Sequence, residues 1–274
     1  MENVVEMRVG PEEEGLRLDR VLEGLVPEGG LRLRRRLCDQ GRVLVNGRPA
    51  KSSCKVREGQ TVQVRMQRVA CDPADMGLRV LCRRNGLAAV DKPAGVHSAV
   101  VAGSSEPSVE GALPRLFPGE NAVLLNRLDR LTSGIVLVAL TAEAEARYHE
   151  AESARTVTKE YLARVAGRLD SPVTVRFALD TDNRRLTRAL DKDDPDSRRW
   201  TRVEPLNWDE KTQTSLVRCF IRMGARHQIR VHLAALGHPI LGDPLYGGPE
   251  AERLHLHHRC FSLDDFSVQS EAAF

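Results

Sequence analysis

The chain has 274 residues, 41% of them hydrophobic and 29% charged. That is the make-up of an ordinary globular protein, long enough for one large domain or for a small domain plus a medium one. A useful core can be buried without a disulfide or metal staple, and apolar runs such as Ile135 to Leu140 are far too short to span a bilayer. The net charge of +3 does not by itself point to nucleic acid. The six cysteines (Cys38, Cys54, Cys71, Cys82, Cys219 and Cys260) are scattered, and no two stand at C-x-x-C spacing. This argues for reduced thiols rather than a zinc site or a disulfide framework. The stretch from Met1 to Glu6 is acidic and lacks an apolar signal core, so the expected location is cytoplasmic.

The first zone, residues 8–68, opens with apolar residues at helical spacing over Leu16 to Leu22. A second, Arg-rich helix pattern runs from Leu31 to Asp39, with Leu31, Leu33 and Leu37 inward and the arginines mostly outward. Gly41 stops it. Val43-Leu44-Val45-Asn46-Gly47-Arg48 then reads as a strand and a tight hairpin turn, and Val62 to Arg65 as a final short strand. Charge concentrates here: Leu31 to Arg68 holds eleven Lys or Arg against Asp39 and Glu58, leaving the rest slightly acidic. A basic block of this kind suits a phosphate backbone, or is a solvated face.

Arg17-Leu18-Asp19, Arg34-Arg35-Arg36-Leu37, Gly41 to Gly47 and Gly59-Gln60-Thr61-Val62 resemble an S4-like RNA-binding domain. The resemblance implies RNA contact by the basic helix and the loop after it, with Arg32, Arg34, Arg35, Arg36, Arg42 and Arg48 as candidates. For Arg17 and Asp19, a helix-start ion pair stands beside RNA contact as a reading.

Met66 to Gly77, poor in apolar residues, reads as a linker centred on 69–77. The large domain, 78–274, has short segments rich in Val, Leu and Ile at Leu87–Val90, Val123–Leu125, Ile135–Leu140, Tyr161–Val165 and Leu216–Ile221. Helical spacing covers Ala142–Ala154 and His227–Leu236. The pattern predicts a sheet-dominated α+β domain. The charged segment Asp180 to Arg199 is expected as an exposed loop or irregular insertion.

Asp129 lies between two strand patterns, flanked by Arg127 and Arg130 and followed by Thr132-Ser133-Gly134. Guanidinium groups favour an ionised carboxylate, which suits nucleophilic or general-base work. Read locally, a turn aspartate bonded to backbone amides fits as well. His255 and His257 alternate along a strand pattern, but two histidines without a third ligand make a poor metal site, so no metal is expected.

Asn126 to Ile135 resembles the H-R-L-D-x-x-T-S-G-[LI] segment of the RluA family of pseudouridine synthases. Further family landmarks follow in order: Asp91-Lys92-Pro93-Ala94-Gly95, Lys159-Glu160-Tyr161-Leu162-Ala163, and Gly224 to Leu233 against G-R-x-H-Q-[IL]-R-x-H. Gly237 to Gly247 matches G-x-P-x-x-G-D-x-x-Y, and Arg253 to His257 matches the final R-x-x-L-H.

The resemblance covers essentially the whole chain and implies an α+β catalytic domain on a mixed, mostly antiparallel sheet with flanking helices. In it Asp129 attacks the target uridine, whose uracil is detached, rotated and rejoined through carbon. Tyr161 stacks on the base and serves proton transfer at C5, and Arg230 holds Asp129 ionised. Arg127 contacts RNA, filling the space of an extruded nucleotide. Ile229 and Leu256 wall the base, and Lys159 supports the site or contacts phosphate. Arg226 and His227 are further substrate-binding candidates, and Gly242 and Asp243 shape a turn.

Two departures stand out. Asn126 replaces the usual His, and Ala225 replaces a usual Arg or Lys, with Arg226 one place on. No cofactor is implied, since the isomerisation is redox-neutral. Structured RNA is the expected partner, ribosomal before transfer RNA, and the expected state is a monomer. Two competing readings are a non-catalytic RNA-binding protein on the same fold and a metal-dependent hydrolase using His227, His232 and Asp243. The second lacks the H-E-x-x-H spacing and glutamate.

Overall fold

A computed structural model of the protein describes residues 3–26, 30–66, 72–101, 106–154, 156–183 and 186–274. The chain divides into two compact units, Met1–Ala70 with Val100–Glu106, and Cys71–Ala99 with Pro107–Phe274.

The first unit contains β1 (Asn3–Arg8), α1 (Leu18–Val21), α2 (Leu31–Asp39), β2 (Val43–Val45), β3 (Arg48–Pro49) and β4 (Thr61–Met66). The strands form one antiparallel sheet in the order β1-β4-β2-β3. β1 carries the sheet back to Asn3, ahead of the expected start at Arg8. Leu18, Leu22, Leu37, Val43, Val62 and Val64 fill its core.

The helix expected over Leu16 to Leu22 is a single turn, whereas α2 has the expected bounds. The arginines of α2 do not all face outward. Arg34 is buried and bonds Glu23 at 3.0 Å, because it lies one turn before Leu37 on the packed face. Arg17 and Arg35 both bond the fully buried Asp19. The Arg17 hydrogen bond leads in holding that carboxyl down, to about 2. The side chain of Arg32 and part of the linker, residues 69–71, lie outside the described residues.

The second unit contains β5 (Arg79–Arg84), β6 (Leu87–Lys92), α3 (Val109–Leu116), β7 (Val123–Leu124), β8 (Ser133–Ala139), α4 (Ala142–Ala154) and β9 (Thr158–Ala166). After these come β10 (Val173–Val175), β11 (Phe177–Asp180), β12 (Arg188–Asp193), β13 (Thr201–Asp209), β14 (Thr214–Ile221), α5 (Gln228–Ala235), β15 (Leu256–Leu263) and β16 (Phe266–Gln269). Its main sheet runs β10-β13-β14-β9-β15-β8-β6-β5, with β16 beside β15 and β7 beside β8.

The pairing is antiparallel except between β8 and β15, which run parallel. β8 is buried along its whole length, because alternate side chains feed cores on opposite faces. Val136 and Val138 join one core with α3 and α5, while Ile135, Leu137 and Ala139 join the other with α4. The polar segment expected to be irregular instead contains most of a hairpin, β11 with β12, followed by a 3-10 turn at Ser197–Arg199. Backbone ladders need no apolar side chains, so charge alone did not preclude strands there.

The parallel seam depends on Gly134. Its φ is +110°, and an added Cβ would stand 2.3 Å from the His258 carbonyl oxygen. Only glycine lets the two backbones approach this closely.

Candidate active site

Asp129 sits in the connection between β7 and β8, held from several directions. The Ser98 hydroxyl donates to the Leu128 carbonyl and accepts from the Leu128 N–H, both at 2.9 Å. The Gly95 N–H donates to the Arg130 carbonyl at 2.7 Å, and Arg130 Nε donates back to Gly95 at 3.0 Å. The buried Lys92 ammonium donates to the carbonyls of Pro93, Val96 and Arg130 at 3.0, 2.8 and 3.3 Å. The Asp-Lys-Pro-Ala-Gly turn thus clamps the loop that carries Asp129. Burial is the main force pulling Lys92 down to about 7, against the attraction of Asp129. Asn126, one of the two departures, supports the strand beside it, its Oδ1 accepting the Leu137 N–H of β8 at 2.7 Å.

The arginines flanking Asp129 in sequence are not its ion-pair partners. Arg130 serves the loop, and Arg127 is exposed, with no hydrogen bond or ion pair among the described residues. Arg230, on α5 and 101 positions away in sequence, reaches Asp129 Oδ2 through Nη1 at 3.4 Å. Its stronger bonds go to the buried Asp243, Nε to Oδ2 and Nη2 to Oδ1, both 2.7 Å. This fork fixes the guanidinium plane. Burial alone would lower the pKa of Arg230, but the two carboxylates more than offset it.

Asp243 also accepts the N–H groups of Leu245 and Tyr246. It therefore shapes the turn, as expected, and also anchors Arg230. Gly242 permits this turn: its φ is +72°, and a Cβ there would meet the Arg253 carbonyl oxygen at 1.9 Å.

Tyr161, on β9, is directly opposite His258 on β15. The two rings stack at 4.4 Å with an interplanar angle of 13°. Burial, with a contribution from the charge of Asp129, pushes the Tyr161 phenol well above its ordinary pKa, so the ring is neutral. His258 Nδ1 donates to the Ile135 carbonyl at 2.6 Å, and burial brings the imidazole down to about 3. Tyr161, Ile229 and Leu256 all belong to the core on the α5 face.

Other expected substrate contacts are occupied within the protein. Lys159 is buried and pairs with Glu152 at 2.5 Å, over the ring of Tyr148, which suits a supporting role rather than a phosphate contact. Arg226 bonds Thr187 Oγ1 and the carbonyls of Thr181 and Asn183, securing the loop before β12. His227 Nδ1 is 2.8 Å from the Tyr246 hydroxyl, and its Nε2 is 3.9 Å from Asp129 Oδ1. His232 bonds Thr201 and the Phe177 carbonyl, and Asp243 is taken by Arg230. The three groups of the hydrolase reading therefore make no common ligand set. His255 stacks on Phe274, while His257 bonds Ser133 and the Ser270 carbonyl. In the first unit Arg36 and Arg48 are exposed, and Arg35 and Arg36 line an open concavity with Leu31 and Asp39.

Lys92, Ser98, Tyr246 and His258 were not singled out by sequence reasoning. Lys92 and Tyr246 stood inside quoted motifs, but nothing local marks a residue that acts on another's loop.

Residues 86–235 match the family model for RNA pseudouridylate synthase, and residues 16–62 match that for the S4 domain. The chain is 36% identical to "Ribosomal large subunit pseudouridine synthase D" of Xanthomonas campestris, over 85% of this chain and 72% of that protein. It is 31% identical to the protein of the same name from Nitrosomonas europaea, over 90% and 73% respectively. Among solved structures, "Human RNA Pseudouridylate Synthase Domain Containing 1" aligns with a TM-score of 0.59 at 26% identity, covering 73% of this chain and 84% of that one.

Proposed function

The chain belongs to the RNA pseudouridylate synthase family and isomerises uridine in RNA to pseudouridine; on that premise we propose that Asp129 is its nucleophile. The observation that carries this is the convergence on one carboxylate of elements far apart in sequence. Asp129 keeps a quarter of its side chain exposed while Arg230, locked by Asp243, holds one of its oxygens. A carboxylate oriented by a fixed guanidinium and still open to solvent is suited to attack. The flipped uracil rests on Tyr161, between Ile229 and Leu256, and Arg127 enters the space that the nucleotide leaves. The reaction exchanges the ribose bond at nitrogen for one at C5, with no net change of composition or oxidation state.

The substrate assigned here is large-subunit ribosomal RNA, the substrate that the names of the Xanthomonas and Nitrosomonas relatives state. Residues 8–68 act as the RNA-binding module and 78–274 as the catalytic domain, in a monomer working in the cytoplasm. The decisive test is Asp129→Asn in full-length protein with ribosomal RNA. Pseudouridine formation is lost and RNA binding persists; turnover in that variant refutes the assignment. Pseudouridine mapping in cells lacking the protein identifies the target, and a site missing only from transfer RNA overturns the ribosomal assignment.

A further inference from the structure

We propose that Tyr246 is a positioning residue for Asp129, acting at once through the protonation pattern of His227 and through the plane of Arg230. The inference rests on Asp129 being the reacting group and concerns what holds its two oxygens.

The Tyr246 side chain touches both neighbours of that carboxylate. Its ring lies 5.2 Å from the guanidinium carbon of Arg230, backing the fork that Asp243 grips from the side. Its hydroxyl is 2.8 Å from His227 Nδ1 and accepts the Thr187 N–H at 3.1 Å. Thr187 Oγ1 is itself an acceptor for Arg226 Nε at 3.2 Å, and burial raises the pKa of the Tyr246 phenol, so it keeps its proton. With its oxygen receiving Thr187, the phenol directs its own proton to His227 Nδ1. A neutral imidazole that accepts at Nδ1 must carry its proton at Nε2. Burial pulls the His227 pKa below its ordinary value, which favours the neutral ring.

Nε2 is the nitrogen that faces Asp129 Oδ1, at 3.9 Å. That is longer than a hydrogen bond, but such contacts often tighten only when substrate is seated. The carboxylate then meets an N–H on each side, Arg230 at Oδ2 and His227 at Oδ1. With the other tautomer, a lone pair would face Oδ1 and repel it. His227 stands in the left-handed region, at φ +57° and ψ +15°, a backbone conformation uncommon for a residue other than glycine.

The test uses the full chain. Nitrogen-15 NMR of histidine-labelled protein, with His227 assigned by comparison with His227→Gln, reads the tautomer directly. The proton is expected on Nε2 in the wild type, and Tyr246→Phe shifts the population toward Nδ1. In kinetics with ribosomal RNA, Tyr246→Phe lowers kcat on the order of 10-fold with KM within about twofold, and Tyr246→Leu, which also removes the ring beneath Arg230, lowers it further. The double variant Tyr246→Phe with His227→Gln is no slower than His227→Gln alone. An unchanged His227 tautomer in Tyr246→Phe, or losses that multiply in the double variant, overturns the proposal. Asp129→Asn in the same assay keeps the two failures apart. Turnover there sinks the nucleophile, whereas the tautomer result judges Tyr246 whatever Asp129 does.

Discussion

Arg230 carries two duties that oppose each other energetically. Its guanidinium is buried, so it needs a carboxylate to remain charged at low cost, yet it must also leave an edge for Asp129. Asp243 resolves this by taking Nε and Nη2 and leaving Nη1 free to turn to Asp129. Removing one member of a buried pair leaves an uncompensated charge. Asp243→Ala is therefore expected to lower stability by about 3 kcal/mol in urea unfolding and to abolish turnover. A stability loss below about 1 kcal/mol would show that Asp243 is not the main counter-charge. Sequence reasoning placed Asp243 in a turn and gave Arg230 to Asp129. Both contacts exist, but the pair that fixes the guanidinium was not foreseen, because spacing says nothing about which of two acids lies closer.

At the scale of elements, the site is built where three strands meet. β8 leaves the Asp129 loop, β15 runs parallel beside it across Gly134, and β9 brings Tyr161 opposite His258. His258 ties all three together, bonding the β8 backbone and stacking on the β9 tyrosine. Its folded pKa, about 3, is below the ordinary 6.5 because of burial. Between these values the unfolded chain binds a proton that the folded protein does not, so stability falls as pH drops from 6.5 toward 3 and is unaffected above that window. At pH 5 the contribution is about 2 kcal/mol. Urea unfolding at pH 7 and pH 5 should show a smaller acid loss for His258→Met than for the wild type by about that amount. An equal loss in both would mean that His258 is charged at little cost. Strands β8, β9 and β14 were legible from their apolar runs, and α2 and α4 from their periodicity. The β11–β12 hairpin was not, because β11 is only four residues long and β12 is mostly charged, while the backbone makes the ladder.

At the scale of the whole molecule, the chain joins a unit that matches the S4 domain to one that matches the RNA pseudouridylate synthase family. Part of the basic block of the first unit is engaged within it: the buried Arg34 bonds Glu23, and the exposed Arg35 bonds the buried Asp19. Arg36 and Arg48 are exposed, and both were expected to contact RNA. Each phosphate contact releases counterions, so Arg36→Glu with Arg48→Glu in the full chain should weaken binding to structured RNA. It should also flatten the salt dependence by about one unit per lost contact. Unchanged affinity and slope would remove this surface from the RNA interface.

The sequence alone determined the strands that carry long apolar runs, the concentration of positive charge in the first zone, and the ordered motifs that mark the family. All of these are properties of residue type and spacing along the chain. Tertiary structure decided which charges pair and which groups face one another. Arg230, not Arg127 or Arg130, meets Asp129; Asp243 locks it; His258 supports Tyr161; and Tyr246 joins His227 to the same cluster. The physical reason is distance. Ion pairing, stacking and desolvation act over a few ångströms in space, whereas Asp129 and Arg230 are 101 positions apart in sequence and Ile135 and His258 are 123 apart.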